Sequence, residues 1–171
     1  MAVGEALSAW QKVENGVFCV FFNCLASPSM GAASIVFTGV ENFRTKLNLT
    51  DALARFRLRK FPAELAEWET LKAKTDTLIK TRNVLAHHKV TWFQIGRIKP
   101  VPVLVPPDYD LTVVIRDGSF EKQPTLRTKQ IIHIMKEFVI HGSELDQFSQ
   151  RIPPLLAQNA EDRGSPANQT G

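Results

Sequence analysis

The chain has 171 residues, of which 44% are apolar, with a net charge of +4 and a pI near 9.2. That is enough chain to bury a core without staples and too apolar for a disordered protein, while the mild basic excess permits an anionic partner without requiring one. The only cysteines, Cys19 and Cys24, lie in an apolar helical segment. This excludes a disulfide scaffold and predicts buried, reduced thiols in a reducing, cytoplasmic compartment.

Residues 3–26 read as a first helix, with Leu7, Trp10, Val17, Phe18, Phe21 and Leu25 at helical spacing. Its apolar run at 16–26 is too short to span a bilayer. The glutamates before it are wrong for a secretory leader, so no membrane segment is expected. Ser27-Pro28-Ser29 ends the helix. A second helix is predicted over 30–47, striped by Ala33, Val36, Phe37, Val40, Phe43 and Leu47. Gly31 and Gly39 in it are weak spots or points of close helix approach. Asn48-Leu49-Thr50 reads as a turn with Thr50 capping a short helix at 51–60. That helix ends in Arg55, Arg57, Arg59 and Lys60, the densest positive cluster in the sequence. Such a cluster either contacts phosphates without reading bases or is a solvated helix end, where cations suit the dipole.

Phe61-Pro62 starts the next helix, predicted over 63–88, with Glu64 and Glu67 in its first turns. Leu65, Trp68, Leu71, Leu78, Ile79, Leu85 and Ala86 form its stripe, and Arg82 falls near the middle of it. A guanidinium facing a core needs a carboxylate, a phosphate or an open cleft. Two readings follow. In one, Arg82 pairs with a glutamate such as Glu14 or Glu41, and His87 and His88 decorate a helix end. In the other, Arg82 and His87 line a cleft for a phosphodiester, with arginine supplying forked hydrogen bonds and histidine a proton-transfer group near neutral pH.

The run Arg82-Asn83-Val84-Leu85-Ala86-His87 resembles the R-x(4-6)-H motif of HEPN-domain proteins, in which a small polar residue such as Asn83 follows the arginine. With the helical layout around it, the resemblance spans most of residues 1–156. It implies a helical bundle, often a homodimer whose arginines and histidines face one cleft. It also implies a metal-independent endoribonuclease that cleaves RNA by 2′-OH attack to a cyclic phosphate, in some members a toxin restrained by an antitoxin protein. On that reading Arg82, Asn83 and His87 are catalytic, and Arg55, Arg57, Arg59, Lys60, His88 and Lys89 contact RNA. One subgroup carries a tyrosine two residues after the histidine that a partner modifies; Lys89 stands there in this chain.

After the motif the pattern changes. Val90-Thr91-Trp92-Phe93 is rich in β formers, and Trp92 offers a ring for packing or for stacking on a base. Pro100, Pro102, Pro106 and Pro107 exclude helix around 98–108, leaving at most an edge strand there. Leu111–Ile115 reads as a strand closed by Asp117-Gly118. A small β-hairpin or extended insert is therefore expected over about 90–124. The last helix is predicted over 125–152, on Ile131, Met135, Phe138, Leu145, Phe148 and Ile152 widened by Ile132 and Val139, ending at Pro153-Pro154. Residues 157–171 read as a disordered tail. His133 and His141 are too far apart to chelate together, and no zinc set or Gly-rich phosphate loop is present, so neither metal nor cofactor is expected. The sequence thus predicts a mainly α, up-and-down bundle of four long helices and one short one in a single domain, 1–156. The alternative to the nuclease is a non-catalytic bundle binding RNA, a nucleotide or a protein through the same cleft, or one in which Arg82 is only a buried ion pair.

Overall fold

The computed structural model describes residues 2–26, 29–93, 100–107 and 125–164. Among them are five helices and two strands: α1 (Ala2–Leu25), α2 (Met30–Thr38), α3 (Phe43–Leu58), α4 (Pro62–His87), β1 (Lys89–Phe93), β2 (Val101–Val105) and α5 (Thr128–Gly164). The fold is mainly helical with one small antiparallel sheet, as the patterning predicts. Among the described residues no helix is long and apolar enough to cross a membrane.

The long helices bury narrow seams. In α1 the buried positions are Ala6, Trp10, Val13, Val17, Val20 and Cys24, with Phe21 beside them. In α5 they are Ile131, Ile134, Phe138, His141, Leu145, Phe148 and Ile152, alternating by three and four, with Gly142 and Ser149 buried beside them. This is the spacing that keeps one stripe facing a partner. Met135 is only half-buried, and Ile132 and Val139 are exposed, so the face is narrower than the sequence suggests.

The chain divides into two compact units, one of Met1–Gln11 and Thr77–Val139, the other of Lys12–Asp76 and Ile140–Gly171. In the first, Trp10 meets Phe138 edge-on with ring centroids 5.1 Å apart. β1 and β2 pair antiparallel, with Val90 opposite Leu104 and Trp92 opposite Pro102. Pro102 has no ladder donor, which a two-stranded ribbon tolerates. Leu104 exchanges backbone hydrogen bonds of 2.9 and 3.0 Å with Leu126, bringing the chain that enters α5 against the ribbon. The strand expected over 111–115 lies outside the described residues.

In the second unit Phe18 and Phe21 pack on Phe37, and Trp68 stacks on Phe148 while its Nε1 donates to Asp51 Oδ1 at 2.9 Å. The helix expected over 30–47 is two helices. Gly39 closes α2 by donating to Ile35 O at 3.0 Å, and the Asn42 side chain caps α3 by accepting from the Arg44 N–H at 2.8 Å. The turn expected at 48–50 is therefore helix. Thr50 does not cap; its hydroxyl donates to Lys46 O at 2.9 Å, four residues back, so the buried polar group is satisfied within the helix.

The predicted stop at Pro153-Pro154 is also overturned, since α5 runs through both prolines to Gly164. Pro153 removes the N–H that would serve the carbonyl of Ser149, a residue only 1% exposed. Asn23 Nδ2 from α1 donates to that carbonyl at 2.8 Å and takes the place of the missing donor. The carbonyl of Gln150, orphaned by Pro154, belongs to an exposed residue that water can serve. Asn23→Ala is expected to cost about 1–2 kcal/mol in urea unfolding. The loss should shrink in a Pro153→Ala background, where the backbone N–H returns; an equal loss in both backgrounds would separate Asn23 from the proline.

Candidate functional site

The candidate residues fall in both units. On α4 the seam passes through Trp68, Leu71, Thr75, Leu78, Arg82 and Leu85, again alternating by three and four. All are buried except Arg82, which is half-buried and is the only charged member. Among the described residues Arg82 has no carboxylate partner. Its polar contact is Nη1 donating to Asn83 Oδ1 at a long 3.3 Å. Glu41, one of the glutamates considered as its partner, is exposed. A part-exposed guanidinium whose side-chain partner is a neutral amide oxygen is available to an incoming anion.

Asn83 and His87 are exposed one turn apart. The Asn83 carbonyl oxygen accepts from Arg82, and among the described residues no hydrogen bond joins Asn83 to His87. The last turn of α4 is regular, with the His88 N–H donating to Val84 O at 3.0 Å. Arg82 and His87 are thus separated by about 140° around the helix axis. His88 is half-buried just beyond the helix, and Lys89 opens β1 with its Nζ donating to Pro107 O at 3.1 Å.

The basic cluster at the end of α3 belongs to the second unit, and among the described residues Arg55 is its one member held by carboxylates. Arg55 is bridged to Asp51 at 3.2 Å and to Glu69 at 2.7 Å. Those hydrogen-bonded carboxylates push its pKa further up. Arg59 donates to Phe56 O at 2.6 Å and covers the Phe56 ring, while Lys60 is exposed past the helix end. Arg57 is half-buried, its Nε has no hydrogen-bond partner, and its charge faces the Cys24 thiol. Burial nevertheless pushes Cys24 up to about 12, and burial followed by Asp146 raises Cys19, so neither is a reactive thiolate.

Charge distinguishes the units more clearly than any single residue. The first carries ten lysines and arginines against six aspartates and glutamates; the second carries eleven against eleven. The whole excess of +4 therefore belongs to the unit that holds Arg82 and His87.

A cluster that the sequence pattern did not single out lies in the second unit. The fully buried His141 places Nε2 2.8 Å from Thr75 Oγ1 and Nδ1 3.0 Å from Glu144 Oε2, and Lys74 Nζ donates to the same carboxylate oxygen at 2.6 Å. The order hydroxyl, imidazole, carboxylate is that of a nucleophile with its base and orienter, but Thr75 and His141 are both 0% exposed, so no substrate reaches them. The cluster is structural. Its signal was the gap between Leu71 and Leu78 in the α4 stripe, which Thr75 fills, and His141 at the matching position of α5.

No group of histidine, cysteine or carboxylate side chains able to hold a metal occurs among the described residues. No protein-family model, curated protein or solved structure matches the chain.

Proposed function

We propose that the protein binds RNA through its first unit and cleaves it without a metal at the end of α4, the activity that the resemblance to HEPN proteins implies. The observation that carries the reading is Arg82, a half-buried cation with no carboxylate partner among the described residues, in the unit that holds all the net positive charge. In this mechanism His87 takes the proton from a ribose 2′-OH, the oxygen attacks the adjacent phosphorus, and the 5′-oxygen leaves with a proton from solvent. A 2′,3′-cyclic phosphate remains. Arg82 balances the charge that grows on the phosphoryl oxygens. Because about 140° of regular helix separates the two side chains, the mechanism draws Arg82 and His87 at one phosphate from two copies of the chain.

A second reading, RNA binding without cleavage, is favoured by the same regular last turn and by Asn83 bonding to Arg82 instead of orienting His87. One experiment separates them: a mixed RNA pool incubated in EDTA with wild type, His87→Ala and Arg82→Ala, scored for both binding and cutting. The nuclease reading expects wild-type cutting that falls by about 10²–10⁴ in His87→Ala with binding retained. Arg82→Ala should lose both binding and cutting, by about tenfold or more. Binding without cutting by folded wild type selects the second reading, and absence of binding overturns both.

A further inference from the structure

We propose that the face of the β1–β2 ribbon bearing Trp92 receives the unstacked bases of single-stranded RNA. This rests on the RNA reading above and adds to it the form of the strand and the groups that grip it. Residues paired across an antiparallel ribbon share a face, as do alternate residues along a strand. Val90, Trp92, Pro102 and Leu104 therefore lie on one side. Leu104 is buried at 2%, whereas Trp92 is 67% exposed and Val90 61%. The other two tryptophans, Trp10 and Trp68, are almost completely buried. An indole left two-thirds in water adds nothing to the core, and a large rigid ring in that state suits a stacking partner.

The same face borders a groove of about 130 Å³ whose lining side chains are mainly apolar, among them Val90, Pro102, Leu104, Leu126 and Ile131, with Thr128. Among the described residues no acidic side chain lines it. Arg127 and Lys129 flank Thr128 and are exposed, and the first turn of α5 has no acidic residue to offset them. The site thus combines an apolar recess, an open aromatic ring and a cationic rim, in the unit that carries the net charge. A polyanion with splayed bases matches all three. A duplex matches only the rim, because its bases are stacked inward, and a neutral apolar peptide leaves the cations without a role.

The test is fluorescence anisotropy with a labelled oligouridylate and a short RNA duplex at fixed salt, using wild type, Trp92→Ala and Trp92→Phe, each checked for folding by circular dichroism. Trp92→Ala should weaken oligouridylate binding about tenfold, and Trp92→Phe should restore most of it. Duplex affinity should stay unchanged, as should the salt dependence, since no phosphate contact is lost. Wild-type affinity for oligouridylate in Trp92→Ala, or an equal loss on the duplex, overturns this inference. The RNA reading is judged separately, by wild-type binding and its loss in Arg82→Ala; no RNA binding by wild type overturns both.

Discussion

Gly142→Ala is expected to lower stability by about 2–3 kcal/mol, even though alanine is the better helix former by about 1 kcal/mol. In the second unit a Cβ on Gly142 would lie 2.6 Å from Lys12 Cβ, 2.7 Å from the Lys12 carbonyl carbon and 2.8 Å from its oxygen. These are mostly main-chain atoms of a helix, which cannot swing aside as a flexible side chain would. The contact is built from both sides: a Cβ on Gly16 would lie 2.6 Å from Leu145 Cβ and 3.1 Å from Gly142 O. To admit the methyl group, α1 and α5 must separate within this unit, which loosens the packing around the buried Val13, Val17 and Leu145. Gly4, in the first turns of α1, is the control. Among the described residues nothing lies within 4 Å of the place a methyl group would take there, so Gly4→Ala should gain up to about 1 kcal/mol from propensity alone. Urea unfolding of the two variants should give opposite signs. A gain at both positions would mean that the backbones of α1 and α5 are not in close approach.

These glycines show where the sequence was legible and where it was not. Helix existence was readable, because apolar spacing and the Phe61-Pro62 start signal are local. The ends of α1 and α4 were close to right, and the β formers after His88 marked the ribbon. Local pattern offers Gly31 and Gly39, inside the predicted 30–47 helix, as weak spots or points of close approach. Close approach occurs at Gly16 and Gly142, about 126 residues apart in sequence, through packing that no local window contains. The helix through Pro153 was unreadable for the same reason, since the donor that replaces its N–H is Asn23. At the candidate site, Arg82 stood out as a charge on an apolar stripe, and the structure leaves it half-buried there. The concentration of charge in one unit could not be seen, because that unit is assembled from two separate stretches of chain. His141 was legible in principle. Had the α5 stripe been read as a strict three–four alternation instead of a broad face, Ile134 and His141 would have replaced Ile132 and Val139.

That histidine supports the second large effect. His141→Ala is expected to cost about 2–4 kcal/mol, from a ring-sized cavity and the loss of one buried and one part-buried hydrogen bond. The same variant should also remove much of the protein's sensitivity to mild acid. In the neutral ring Nδ1 carries the proton, because the Glu144 carboxylate only accepts, and Nε2 then accepts from the Thr75 hydroxyl. Protonation reverses the second bond: Nε2–H donates to Thr75 Oγ1, and the hydroxyl turns to Leu71 O, 2.9 Å away. The charged groups facing the ring are Glu144 on α5 and Lys74 on α4. Burial lowers the His141 pKa, and Lys74 adds to this, while the hydrogen bond and charge of Glu144 oppose it without reversing it. For Glu144, burial would raise the pKa, but the hydrogen bonds from Lys74 and His141 lower it overall. The folded state therefore binds the His141 proton less tightly than the unfolded chain. Its contribution is fully present above an unfolded histidine pKa of about 6.5 and is lost as pH falls from there through the folded value. Glu144 adds a further loss only below about 4.3, the unfolded glutamate value. Urea midpoints followed by circular dichroism between about pH 7.5 and 5.5, values chosen to bracket the first step, should fall for wild type and stay nearly flat for His141→Ala. A slope that persists in the variant would assign the acid response to another group and leave His141 a packing residue alone.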